Sequence, residues 1–174
     1  MKKQFLSILA ILLFISCTNP NNPDNENKQI IMDTTNWKEK ANYKLLQQVW
    51  KTEAAATMSK VFKYADANNT AALNSYNTYP NVNGMNYNMV IEAIGWISDT
   101  EGIMYGKYKY ISDYTLLNKY YAIAFKNLTE SSVDFSEASL ADKKYTETLE
   151  EATNTFRIES NAFKTYNSYT VYIQ

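Results

Sequence analysis

No histidine occurs anywhere in this chain, and cysteine occurs once, at Cys17. Without histidine there is no Ser–His or Cys–His couple and no histidine-ligated metal site. A single cysteine cannot close an intramolecular disulfide, so the folded part must be stable without a covalent staple. Glycine is scarce: Gly84, Gly95, Gly102 and Gly106 stand apart from one another and form no phosphate-cradling loop. Charge of one sign is also lacking. The net charge is −1, with acids and bases interspersed, and no basic stripe exists to neutralise phosphates. Nucleic acid is therefore not an expected partner.

What is present begins with a leader. Lys2 and Lys3 precede an apolar run from Phe5 to Ile15 broken only by Ser7, and small Ser16 then precedes Cys17. Eleven residues are too few to span the ~30 Å hydrocarbon layer, so residues 1–16 read as a signal peptide. Phe14-Ile15-Ser16-Cys17 resembles the lipobox of exported bacterial lipoproteins, with Phe14 where leucine is usual. That resemblance implies diacylglycerol on the Cys17 thiol, cleavage before Cys17, and acylation of the new amino group by a fatty acid such as palmitate. Each buried methylene contributes about 0.8 kcal/mol, so two or three acyl chains make a lasting membrane anchor. Cys17 so modified cannot be a nucleophile or a ligand. The expected location is the bacterial cell envelope. Thr18 does not resemble the aspartate retention signal, which favours the outer membrane over the inner.

Residues 17–36 follow as the lipidated cysteine and a polar tether with Pro20 and Pro23, unable to bury enough surface to offset its ordering entropy. Residues 37–174 are long enough for a single domain with its own core. Asn36 with Glu39 has the form of a capping box, and Trp37, Ala41, Leu45 and Val49 recur at helical spacing, which predicts a helix over 37–48. The segment 53–58 fits either a continuing helix or a first strand. Beyond it the period changes to two. Strands are predicted over Lys60–Ala65, Ala71–Tyr79, a long run containing Tyr87, Met89, Ile91, Ala93 and Ile97, then Ile103–Asp113, Tyr120–Leu128, a short strand with Val133 and Phe135, Thr155–Ser160 and Ser168–Ile173. Asn83-Gly84 is predicted to be a hairpin turn, and Asp99–Gly102 a type I turn with Gly102 left-handed. Thr148 with Glu151 suggests a second capping box.

About eight strands joined by short turns predict a mainly β fold. It would be an antiparallel up-and-down barrel with an N-terminal helix, closed so that no sticky edge is exposed. An α+β open antiparallel sheet packed on the helix is the alternative. Val49-Trp50 ahead of the strands, and Ser112-Asp113-Tyr114 followed by Tyr120–Phe125, together resemble the lipocalins over residues 50–174. Gln48 stands where that family has glycine. The family's arginine over the tryptophan corresponds only to Arg157, the sole arginine. The resemblance implies a barrel with one open mouth and room for a small apolar or amphipathic ligand, with Trp96, Tyr105, Tyr121 and Phe125 as ligand-lining residues among small Ala93, Gly95, Ala122 and Ala124.

No catalytic residue, metal site or cofactor is assigned. Glu92, inside an apolar run, and Asp113, beside Tyr114, are the carboxylates that acid–base chemistry would use. Their ordinary readings are a solvent-facing strand residue and a turn cap. The expected function is non-catalytic binding of a small hydrophobic or amphipathic ligand by a lipid-anchored envelope protein. The alternative is a solid barrel that binds envelope or host proteins. In a bacterial host fed labelled palmitate, the chain should take up label, and Cys17→Ala should take up none. Equal labelling of the two would sink the lipidation reading.

Overall fold

A computed structural model describes residues 31–33, 35–52, 59–67, 70–79 and 82–173. Its strands are β1 (Ile31–Asp33), β2 (Val49–Thr52), β3 (Ser59–Ala67), β4 (Thr70–Tyr79), β5 (Val82–Ser98), β6 (Glu101–Ile111), β7 (Tyr120–Lys126), β8 (Ser132–Glu137) and β9 (Asn167–Val171). From β2 to β9 each strand pairs antiparallel with the next. The ring then closes, because β9 returns to β2 through Trp50↔Val171, Lys51↔Thr170 and Thr52↔Tyr169. Eight strands therefore form a closed up-and-down barrel, and the open-sheet alternative falls. β1 is a ninth strand, laid on β5 at Ile31↔Trp96 to Asp33↔Ile94, beyond the Ala72↔Val90 pair where the β4–β5 pairing stops. Among the described residues pairing thus begins at 31, inside the stretch expected as tether.

The end where β5 begins and β8 finishes is here termed upper, and the end with the Asp99-Thr100 turn lower. Contacts between strands that are not neighbours identify the inner face. Phe62 on β3 meets Phe135 on β8 edge-on at 5.2 Å, Trp50 meets Phe135 at 6.3 Å, and Phe62 stacks on Tyr169 at 5.1 Å. These rings are essentially buried, each contributing about 1.5–3 kcal/mol by leaving water.

The lower end is covered by the N-terminal segment, but not by one helix. A 3-10 turn (Trp37–Glu39) and a short α1 (Tyr43–Leu46) replace the predicted helix over 37–48, because Lys40 is extended at φ −63, ψ 132. The buried positions are Trp37, Tyr43, Leu46 and Trp50, while Ala41 of the expected stripe is exposed. Asn36 makes no side-chain cap. Asp33 Oδ1 instead accepts from the Thr35 and Asn36 amides. Leu46 O accepts from Trp50 Nε1 at 3.2 Å, which ties this cover to β2.

Between β8 and β9 the chain packs α2 (Leu149–Thr155) against β6 and β7. The Thr148 cap is as predicted: Glu151 N donates to Thr148 Oγ1 at 3.1 Å. The predicted strand Thr155–Ser160 does not form. Thr155 ends α2, Phe156 is fully buried, and Ile158 is exposed.

Two glycine expectations need correction. Asn83 and Gly84 lie inside β5, opposite Thr78 and Asn77, so the β4–β5 link falls at Pro80-Asn81, outside the described residues. Gly102 lies in β6 without a positive φ. Its need is space: a Cβ there would lie 2.7 Å from Gly95 O and 2.7 Å from the Phe125 ring. Gly106 is tighter still, at 2.3 Å from Val90 O, a close approach of β5 and β6. Because backbone cannot yield as a side chain can, Gly106→Ala should destabilise by about 2–3 kcal/mol. Gly84→Ala meets nothing within 4 Å and should be neutral or stabilising by about 0.5 kcal/mol in urea melts. Equal stability of the two variants would refute the close-approach explanation.

Candidate functional site

Alternation along β3 places Lys60, Phe62 and Tyr64 on the inner face, and along β8 it places Val133, Phe135 and Glu137 there. At the upper end this brings a base and an acid together across the barrel, since β3 and β8 are not neighbours. Lys60 Nζ pairs with Glu137 Oε2, and Glu137 Oε1 accepts from the Tyr87 hydroxyl of β5 at 2.6 Å. The ion pair retains access to water, with side chains 26% and 31% exposed.

Tyrosines surround this pair. Tyr87 meets Tyr108 edge-on at 5.5 Å, Tyr108 stacks on Tyr121 at 5.2 Å, and Tyr87 lies 6.2 Å from Tyr121. Lys60 Nζ lies 5.2 Å from the Phe62 ring centre. Burial raises the pKa of the Tyr87, Tyr108, Tyr121 and Tyr169 phenols, and the Glu137 charge adds to the rise at all four. One carboxylate thus acts on four inward tyrosines.

The expected ligand-lining residues divide by register. Gly102↔Phe125, Trp96↔Gly102 and Phe125↔Phe135 put Trp96, Phe125 and Phe135 on the inner face, and Gly106↔Tyr121 adds Tyr121. Trp96 meets Phe125 edge-on at 5.2 Å, and its buried indole N–H has no acceptor among the described residues. Tyr105 belongs to the opposite face with Ala122, donating to Phe156 O at 2.8 Å. The mixture of large and small residues is thereby sorted. Ala122 and Ala124 share the outer face with Tyr105, on strands against which α2 packs. Cys17 lies outside the described residues.

The carboxylates expected to have ordinary roles have them. Glu92 accepts from the Tyr120 hydroxyl at 2.8 Å and lies 3.5 Å from Lys107 Nζ, one-third exposed. Asp113 accepts from Thr115 Oγ1 at 2.6 Å and Thr115 N at 3.1 Å, bonds that hold its carboxyl below the usual range. Arg157 is exposed, 4.0 Å from Glu159, and so does not stack on a tryptophan. Among the described residues no group of acids is arranged to hold a metal ion. Compared with family models, curated proteins and solved structures, the chain shows no match.

Lys60 and Glu137 were not singled out by sequence, although a signal existed. Extending Val133 and Phe135 by one more period reaches Glu137, and extending Phe62 and Tyr64 backwards reaches Lys60. A charge at the end of an apolar alternation reads as the strand leaving the core. Only the closed ring shows the two facing each other.

Burial lifts the Tyr43 phenol to about 12, and the inner tyrosines rise in the same direction. Below pH about 10 this has no effect on stability. Above it the unfolded chain releases protons that the folded chain retains, so stability falls as pH rises. Absorbance at 295 nm should therefore show the Tyr87, Tyr108, Tyr121 and Tyr169 phenols ionising only together with unfolding. A single transition near pH 10 with the fold intact would contradict the burial of these rings.

Proposed function

We propose that this chain is a lipid-anchored cell-envelope protein whose barrel binds a small amphipathic molecule at its upper end, without catalysis. The observation that carries the reading is the Lys60–Glu137–Tyr87 cluster on the inner face. Binding sites of this class combine apolar and aromatic walls with a few polar groups that orient the ligand. Here the walls are Tyr108, Tyr121 and Phe62, and Lys60 and Glu137 reach water. The anchor rests on the leader and Cys17 alone.

A second reading has its own observation. Phe62, Trp50, Phe135 and Tyr169 touch across the barrel and fill its middle, as in a solid barrel. Tyr110 and Tyr114 are meanwhile exposed, on the end of β6 and the loop after it. A solid barrel would present such residues to an envelope or host protein.

Native mass spectrometry decides between the two. The chain from Thr18 to Gln174 contains every described strand and helix and lacks the lipid site. Mixed with a lipid extract of its source, it should carry a discrete added mass that denaturation removes. A clean apo mass at every extract concentration would overturn the ligand-binding reading and leave the solid barrel.

A further inference from the structure

We propose that the upper end of the barrel binds the ammonium head of a small amphipathic cation, with the Lys60 ammonium as its resident occupant. The inference rests on the ligand-binding reading above and names the chemical class of the ligand.

Three features of the cluster point this way. The first is the surroundings of the positive charge. Lys60 Nζ sits on a carboxylate oxygen and 5.2 Å from the centre of the Phe62 ring, with the Tyr87, Tyr108 and Tyr121 rings grouped around the acid. A carboxylate among aromatic rings is the setting in which organic cations are bound, each ring adding about 0.5–2 kcal/mol.

The second is an asymmetry in mobility. Glu137 is held from both sides, by the Tyr87 hydroxyl at 2.6 Å and by backbone pairing of β8 to Ile123 of β7. Lys60 has a four-carbon stem and a strongly hydrated head that water already reaches. An entering ammonium can therefore take the place of the Lys60 head, which swings into solvent. The charge balance at Glu137 is kept.

The third is what the same geometry does to an anion. A carboxylate or phosphate head would have to draw Lys60 off Glu137 and then lie beside the uncompensated acid. Alternatively it would have to break the Tyr87 bond. Like charges this close raise each other's cost wherever water is partly excluded. The site thus selects by sign: cation over neutral head, neutral over anion.

Three water-soluble probes sharing one tail test this by isothermal titration calorimetry on residues 18–174: hexyltrimethylammonium, hexanol and hexanoate. The cation should bind about ten-fold or more tighter than hexanoate, with hexanol between. Lys60→Met, which removes the competing occupant, should tighten the cation alone, and Glu137→Gln should abolish the ranking. Equal binding of cation and anion, or a folded Glu137→Gln protein that keeps the ranking, would overturn the proposal. Binding of hexanol without sign preference would do so while leaving the ligand-binding reading in place. Binding of none of the three would overturn both. If Glu137→Gln fails to fold by circular dichroism, the ranking on the unaltered chain decides.

Discussion

Everything in this molecule depends on three residue pairs joining β2 to β9. Without them the remaining pairings describe a curled sheet whose edges, β2 and β9, are left unpaired and open to self-association. With them, strands far apart in order face each other across an interior about the width of two side chains. The seam draws its strength from beneath. Trp50 and Tyr169 lie on its two strands, and both meet Phe135 from β8. Edge-on ring contacts of this kind each contribute about 0.5–1.5 kcal/mol beyond burial. Ring packing and ladder closure are one event.

Closure also determines which polar groups meet. Lys60 and Glu137 are 77 residues apart in the chain and on strands separated by two others, yet they form an ion pair. At the other end the same principle operates with different chemistry. There Tyr64 donates to Tyr43 at 2.7 Å and Tyr43 to Asp66 at 2.8 Å, linking the first inward strand to the N-terminal cover. The barrel has a polar link at each end and a ring-filled waist. Both links reach water, the upper at Lys60 and Glu137 and the lower at Asp66.

The fold class was legible because period-two alternation survives locally in β3, β8 and β9. What misled was punctuation. Asn83-Gly84 has the composition of a hairpin turn, but both residues pair with β4, opposite Thr78 and Asn77. Helical spacing at Trp37, Ala41 and Leu45 was likewise real but incidental. A segment that must cover a barrel end follows the curvature of that end, and Lys40 breaks the helix to do so. β5 shows a third limit. Its register shifts near Asn88, Glu92 and Ile97 rotate successive stretches, so one face of 17 residues cannot be read by counting. The division of Trp96, Tyr121 and Phe125 from Tyr105 was therefore hidden. It needed the pairing partners of β6 and β7, which no periodicity supplies.

The placement of β1 carries a consequence for orientation. Ile31 pairs with Trp96, beside the lower turn, whereas Tyr87 and the Glu137 it holds lie nine residues back along β5. At ~3.3 Å per residue that is a separation of about 30 Å. The chain enters the fold at its sealed base, so any pull from residues before 31 acts on the base. A membrane anchor on residues before 31 would hold the protein by that base, with the Lys60–Glu137 rim on the far side.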